Sequence, residues 1–321
     1  MKVLIIGAGA LGIGIGASLK QGGAEVDFIA RGNTAQTIKQ EGIARDGIFG
    51  KASFSANEIG VYEDAAGLPK DAYDYVIVAT KATANEEVSE RLSARKDCMK
   101  EGVCICFMQN GIGYEKPFLR FFTQEQVFHS RVITGFSKSD KLSESVVTVH
   151  QAPVLIGSCY GADPAPVAPL VETLTKGGVP AETVDTETLS QALWAKLIYN
   201  TALNPLGAIL HRTYGQLADS EYARSIIDIL IEEAYAVMRS CGAKTFYEDA
   251  DAYRKALYEE MIPATYDHQS SMLQDIEKRR KTEIDFLNGS LLNIASGNSV
   301  DAAMHSLVYT LIKALEETFE D

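Results

Sequence analysis

Gly7-Ala8-Gly9-Ala10-Leu11-Gly12 spaces three glycines as G-x-G-x-x-G, directly after the apolar run Lys2 to Ile6 and directly before a helical pattern, Leu11 to Gln21. In that context each glycine has a physical task. The first permits a tight turn, the second lets backbone N–H groups approach a pyrophosphate, and the third lets the helix lie against the strand, while the helix N-terminus adds partial positive charge. The motif alone could be a packing-driven glycine cluster. With a strand before it, a helix after it and a second strand at Glu25 to Ala30, it predicts a dinucleotide site formed by Gly7, Ala8, Gly9, Ala10, Leu11 and Gly12. The end of the second strand indicates which dinucleotide. An acid there would accept from a ribose 2′-hydroxyl, whereas a cation suits a 2′-phosphate. Asp27 comes too early and faces out of the strand, so Arg31 is the cation, and its planar fork predicts NADP (NADPH). A surface arginine on a loop is the alternative.

The same glycines settle a second question. Lys2 followed by Val3 to Leu19 could pass for a leader or a short anchor, but five glycines interrupt the run and Lys20 closes it at about 17 residues, short of a membrane span. With 46% apolar and 23% charged residues the chain is an ordinary globular one, and 321 residues predict two domains. A net charge of −13 excludes general attraction to nucleic acid. Five cysteines without a C-x-x-C read as free thiols in a reducing compartment. The expectation is a soluble, cytoplasmic protein with no nucleic-acid partner, no membrane association and no metal, either monomer or homodimer.

Short apolar runs alternate with helical stretches through the first half. Lys2 to Ile6, Glu25 to Ala30, Tyr75 to Thr80 and Val103 to Met108 read as buried parallel strands, with further strands at His129 to Thr134, Ser145 to His150, Val154 to Ile156 and Val179 to Val184. That is an α/β doubly wound pattern. Beyond Asp185 long helical patterns take over: Glu187 to His211, Ser220 to Cys241, Ser270 to Ser296 and Ala302 to Phe319. The predicted boundary gives domains 1–185 and 186–321.

Ligands of open α/β sheets lie beyond the carboxyl ends of the strands, which nominates Lys81 and Asn110. In the second half, Leu193 to Leu210 is apolar around most of its circumference, yet Lys196, Asn200 and Asn204 recur at i, i+4 and i+8 on a stripe of about 80°. A lysine and two amides buried there need polar partners, unless the stripe is simply solvated. Pro205 removes a helical hydrogen bond and frees a carbonyl nearby. Glu283 sits on the apolar stripe of the helix expected over Ser270 to Ser296, so it is protonated or paired, with Lys196 the natural interior cation. Ser271 opens that helix as a cap or as a ligand hydroxyl.

Together these segments resemble the ketopantoate reductase family along nearly the whole chain. They are Gly7 to Gly12 with Arg31, Val78 to Lys81, Gln109-Asn110-Gly111, Lys196 to Pro205, Ser270 to Asp275, Thr282 to Asp285, and Asn288-Gly289. The resemblance implies an N-terminal Rossmann-type doubly wound sheet as the NADP-binding domain and an all-helical C-terminal domain that carries the substrate. It implies NADPH-dependent reduction of 2-dehydropantoate to pantoate in pantothenate and coenzyme A synthesis. Lys196 would be the general acid and Glu283 its polar partner. Asn110, Asn200, Asn204 and Ser271 would contact substrate or cofactor. Tyr214 and His268 stand where the family often has asparagine, and the turn before the last helix lacks the usual proline, which bears on the choice of 2-oxo acid. The alternatives are a reductase of another small 2-oxo acid and a non-catalytic NADPH-sensing regulator, which would have no use for a proton donor.

Overall fold

The chain forms two compact units, one of Met1–Gln109 and Tyr114–Leu189, the other of Asn110–Gly113 and Ser190–Asp321. A computed structural model describes residues 1–149 and 152–319. His150, the end of one expected strand, lies outside the described residues.

The first unit opens with β1 (Lys2–Ile6), α1 (Ala10–Gln21), β2 (Glu25–Ile29) and α2 (Gly32–Glu41). It continues through β3 (Ile43–Gly47), β4 (Ala52–Phe54), β5 (Gly60–Tyr62), β6 (Tyr73–Val78), α3 (Asn85–Ser93), β7 (Met99–Phe107) and β8 (Val127–Arg131). β9 (Gly135–Lys138), β10 (Glu144–Val149), β11 (Val154–Gly157), α4 (Ala168–Lys176) and β12 (Ala181–Thr183) complete it. Eight strands form one sheet in the order β12-β11-β8-β7-β6-β1-β2-β5. Every pairing in it is parallel except β8 with β11. β1 and β6 are interior strands of it, covered on both faces, which is why Val3 to Ile6 and Tyr75 to Val78 are unbroken apolar runs.

β10 is a strand, as its pattern predicts, but it belongs to a second sheet, β4-β3-β10-β9, that the sequence pattern does not announce. Its strand β3 carries a charge at its centre. Arg45 is 1% exposed and donates to Ser18 Oγ (2.6 Å), Gly177 O (2.7 Å), Gln21 Oε1 (2.9 Å) and Phe49 O (2.9 Å). The fork of the guanidinium thus serves four acceptors at once, which makes its burial tolerable. α1 is buried from Gly12 to Leu19 because both sheets close on it. A Cβ at Gly14 would strike the Phe136 ring of β9, and one at Gly16 the Phe28 ring of β2. Asp27 does not face outward to solvent as expected. It is buried, accepting from Tyr73 OH at 2.8 Å and pairing with Lys2 Nζ at 3.0 Å.

The second unit is helical: α5 (Thr186–Leu210, entering from the first unit), α6 (Tyr214–Ala218), α7 (Glu221–Ser240), α8 (Ala250–Ala256, prolonged by a π turn over Leu257–Met261), α9 (Ser271–Glu277), α10 (Asn288–Gly297) and α11 (Ala303–Glu317). The single helix expected over Ser270 to Ser296 is therefore two helices. α9 ends in a Schellman motif: Arg280 N–H donates to Asp275 O, Arg279 N–H donates to Ile276 O, and Arg279 takes φ 50°. No glycine marks that left-handed position, so the stop is silent in the sequence. Among the described residues no helix is long and apolar enough to cross a membrane.

Candidate active site

The glycine turn is built as its spacing predicts. Gly7 has φ +105°, and a Cβ on it would sit 2.8 Å from Thr80 N; a Cβ on Gly12 would collide with Gly7 O; one on Gly9 would meet nothing within 4 Å. The first and third glycines are thus required by packing, while the second borders open space at the N-terminus of α1, whose cap Gly9 offers no side-chain bond to the first-turn N–H groups. A cavity of about 240 Å³ adjoins this turn, lined by Gly7, Ala8, Arg31, Thr80, Glu87 and Arg91 among others. The Thr80 hydroxyl is buried and finds no hydrogen-bond partner among the described residues. Open space at Gly9, uncapped N–H groups and an orphaned hydroxyl fit a phosphate-bearing dinucleotide.

At the cavity's rim Arg31 is the N-cap of α2, its Nη2 3.0 Å from Glu87 Oε1, and the same oxygen lies 2.6 Å from Arg91 Nη2. The Arg31 hydrogen bond holds the Glu87 carboxyl below its usual range. Two cations therefore converge on one carboxylate, a pairing that periodicity does not reveal because Glu87 and Arg91 look like an ordinary helix-surface pair. Lys81, half-buried, caps the 3₁₀ turn that follows β6. Next to it, Asn85 and Gln109 exchange side-chain amide bonds of 2.8 Å each way, and Gln109 Nε2 also donates to Thr80 O at 2.8 Å. Gln109 thus fixes the two strand ends.

In the second unit α5 presents Lys196 half-buried and Asn200 and Asn204 buried, at 8% and 5% exposure. The stripe is not a solvated one. Tyr214 OH donates to Asn204 Oδ1 at 2.7 Å, and burial keeps that phenol protonated. The amide is therefore oriented with its Nδ2 as the remaining donor. Tyr199 meets Tyr214 edge to face and His268 packs tilted against it, with ring centroids at 5.4 Å and 5.1 Å, so Tyr214 and His268 belong to one aromatic cluster beside Asn204. The cap of α9 is Ser270, buried, accepting from Leu273 N at 3.0 Å and donating to Asn204 O at 3.4 Å. Ser271 is the first helical residue and is exposed, so its expected capping role passes to its neighbour.

Pro205 lies within α5, and the carbonyl that its missing N–H leaves, Thr201 O, accepts from Asn288 Nδ2 at 3.1 Å. The same amide nitrogen reaches His305 Nδ1 at 2.9 Å, while His305 Nε2 lies 2.9 Å from Leu230 O. This fixes the imidazole as the Nε2–H tautomer, and burial pushes it down to about 4. Nothing in the sequence pattern links these residues.

Glu283 is not on a helix face as expected. It precedes a 3₁₀ turn, Ile284–Phe286, because the Schellman stop releases the chain at Lys278. Its place is set by Thr282, whose N–H and hydroxyl both donate to the buried Glu316 Oε1 at 2.7 Å. Asn110 comes to it in space: Asn110 Nδ2 lies 3.4 Å from Glu283 Oε2. The segment after β7 is held there by Ile112 N–H to Phe286 O at 3.2 Å and Ser290 Oγ to Ile112 O at 2.9 Å. Gly111, at φ +92°, leaves no room for a Cβ against Phe286 O.

Comparison with known proteins identifies the family. Residues 3–159 match the family described as ketopantoate reductase PanE/ApbA, and residues 188–316 match ketopantoate reductase PanE/ApbA C terminal. The 2-dehydropantoate 2-reductase of Aquifex aeolicus (strain VF5) is 32% identical over 317 residues, covering 98% of this chain and 97% of the relative. A PanE/ApbA family ketopantoate reductase from Ralstonia eutropha JMP134 superimposes with a TM-score of 0.85 at 25% identity over all of both chains. A D-mandelate dehydrogenase solved with NADH and anilino(oxo)acetate shares the fold, with a TM-score of 0.86 at 22% identity over 100% of this chain and 99% of that one. With both parts matched in order along nearly its full length, the chain belongs to the ketopantoate reductase family of oxidoreductases.

Proposed function

We propose that the protein is an NADPH-dependent reductase that converts 2-dehydropantoate to pantoate in pantothenate and coenzyme A biosynthesis. The observation that carries this reading is the polar stripe of α5, Lys196 with the buried Asn200 and the oriented Asn204, in a chain of this family. The cofactor, when bound, supplies the hydride. Gly7 to Gly12 would hold its pyrophosphate, and Arg31 with Lys81 its 2′-phosphate. Lys196 would donate a hydrogen bond to the substrate ketone and then the proton that the developing alkoxide needs, a general-acid contribution of roughly 10² to 10⁴-fold. Glu283 would keep the lysine charged and placed, and Asn110, Asn200, Asn204 and Ser271 would donate to the substrate carboxylate and hydroxyl or to the cofactor.

A second reading keeps the chemistry and changes the acid. The Tyr199, Tyr214 and His268 rings beside Asn204 favour a 2-oxo acid with a more apolar side chain. NADPH oxidation followed with 2-dehydropantoate and a panel of branched and aromatic 2-oxo acids separates the two. The highest kcat/KM is expected with 2-dehydropantoate. In Lys196→Ala, kcat should fall by at least about 100-fold with the fold retained, the signature of an interaction made in the transition state. Normal turnover in that variant would make Lys196 structural.

A further inference from the structure

One polar face of α11 has no part in the reductase reading, yet it meets the segment that carries Glu283. Tyr309, Lys313 and Glu316 recur at i, i+4 and i+7, so they share a side of the helix. Opposite them runs the stretch between α9 and α10, whose only regular element is the 3₁₀ turn Ile284–Phe286. Arg279, at the left-handed stop, donates from Nη2 to Thr318 O at 2.7 Å, just past the end of α11. Three residues on, Thr282 gives its N–H and its hydroxyl to Glu316 Oε1, each at 2.7 Å, and the hydroxyl oxygen accepts from Ile284 N–H at 3.2 Å. Three further on, Asp285 accepts from Tyr309 OH through Oδ1 at 2.7 Å and from Lys313 Nζ through Oδ2 at 3.2 Å. Lys313 Nζ is also 3.0 Å from Glu316 Oε2, so one ammonium joins the two carboxylates.

Glu316 is 6% exposed and Thr282 1% exposed. A carboxylate buried that far needs partners, and this one has two donors on one oxygen and an ammonium on the other. Desolvation pulls the Lys313 ammonium down, but Glu316 and Asp285 hold it above its ordinary range, so the bridge is charged. Glu283 sits between the anchored residues, and the Thr282 hydroxyl spans it. Its backbone is therefore held from 282, 284 and 285, none of which has a ligand to bind in the reading above.

We propose that Glu316 and Lys313 are positioning residues for Glu283, setting where its carboxylate stands beside Asn110 by fixing the residues on either side of it. The proposal rests on Glu283 being the polar partner of Lys196 in the reaction. Neither Glu316 nor Lys313 acts on substrate. Their effect passes through Glu283, and a misplacement of about 1 Å in such a group can cost roughly 10²-fold in rate.

The test is a double-mutant cycle on the full-length protein, with NADPH and the 2-oxo acid that turns over fastest, alongside hydrogen exchange of the 282–287 amides. Glu316→Ala should lower kcat at least about tenfold while the KM for NADPH changes less than about threefold. Glu316→Gln keeps an acceptor for Thr282 and should restore most of the rate. In a Glu283→Gln background Glu316→Ala should cost less than about twofold, because the group through which it acts is already disabled. Exchange over 282–287 should accelerate at least about tenfold in Glu316→Ala. Glu233→Gln loosens the other end of α11, so it should lower Tm and leave both kcat and that exchange within about twofold. Where Glu316→Ala does not fold, Lys313→Met runs the same cycle, with a fall in kcat of at least about threefold that disappears in Glu283→Gln. Additive losses in the cycle, unaltered exchange, or an equal fall of kcat in Glu233→Gln overturns the proposal alone. Unchanged turnover in Glu283→Gln instead removes the role of Glu283 itself, and the proposal with it.

Discussion

Arg31 shows how one residue can be read correctly for its position and incompletely for its surroundings. Its place after β2, with no free acid at the strand end, was legible, but the carboxylate that it meets was not. Glu87 pairs with both Arg31 and Arg91, at distances of 3.0 Å and 2.6 Å, and its single charge is shared between them. A 2′-phosphate would have to compete with Glu87 for the same two forks. Arg31→Ala is therefore expected to raise the KM for NADPH by about tenfold, the worth of one charge-assisted hydrogen bond, and to leave that for NADH nearly unchanged. Glu87→Gln should lower the KM for NADPH. Steady-state kinetics with both cofactors checks the pair, and equal losses for NADPH and NADH in Arg31→Ala would reduce Arg31 to the partner of a surface acid.

Elements owe their positions to a few polar residues that the apolar pattern hides. α1 is clamped to the small sheet through Arg45, which ties β3 to Ser18 and Gln21 of the helix and to Gly177 after α4. Arg45→Met keeps much of the stem but abandons four acceptors inside the protein. On the scale of breaking a buried charged network it should cost about 3 to 5 kcal/mol. A lowered urea midpoint with an unchanged slope would show this; a loss under about 1 kcal/mol would mean that water replaces the guanidinium. The 282–287 turn depends in the same way on Glu316, and the first turn of α11 on Glu233, whose carboxylate accepts from Met304 N at 2.9 Å and His305 N at 3.0 Å.

The acid limit of stability is a property of the whole molecule, and His305 contributes a predictable part of it. The folded protein holds this imidazole down to about 4 through burial, whereas an exposed histidine takes its proton near 6.5. Between those values the unfolded chain binds more protons than the folded one, so stability falls as pH falls from about 6.5 to about 4. The expected loss over that window is roughly 3 kcal/mol, measurable as a fall in Tm or urea midpoint. His305→Gln, destabilised at neutral pH by its lost bonds, should show a shallower pH slope. An identical slope in the variant would assign the acid limit to other groups.

What the sequence determined by itself was whatever depends on neighbours along the chain. The G-x-G-x-x-G turn, the buried parallel strands, the helical second half and the i, i+4, i+8 stripe of Lys196, Asn200 and Asn204 are all local, because strand and helix periods place side chains without reference to the rest of the fold. Tertiary structure alone decided who meets whom. Asn110 and Glu283 are 173 positions apart and pair because Glu316 holds Thr282 and Ser290 holds Ile112. Glu283 left its expected helix because Arg279 adopts a left-handed stop with no glycine to announce it. The cap passed from Ser271 to Ser270, and β3 found a second sheet around a buried arginine. In each case the deciding term is the satisfaction of a buried polar group by a partner distant in sequence, an energy that hydrophobic periodicity does not encode.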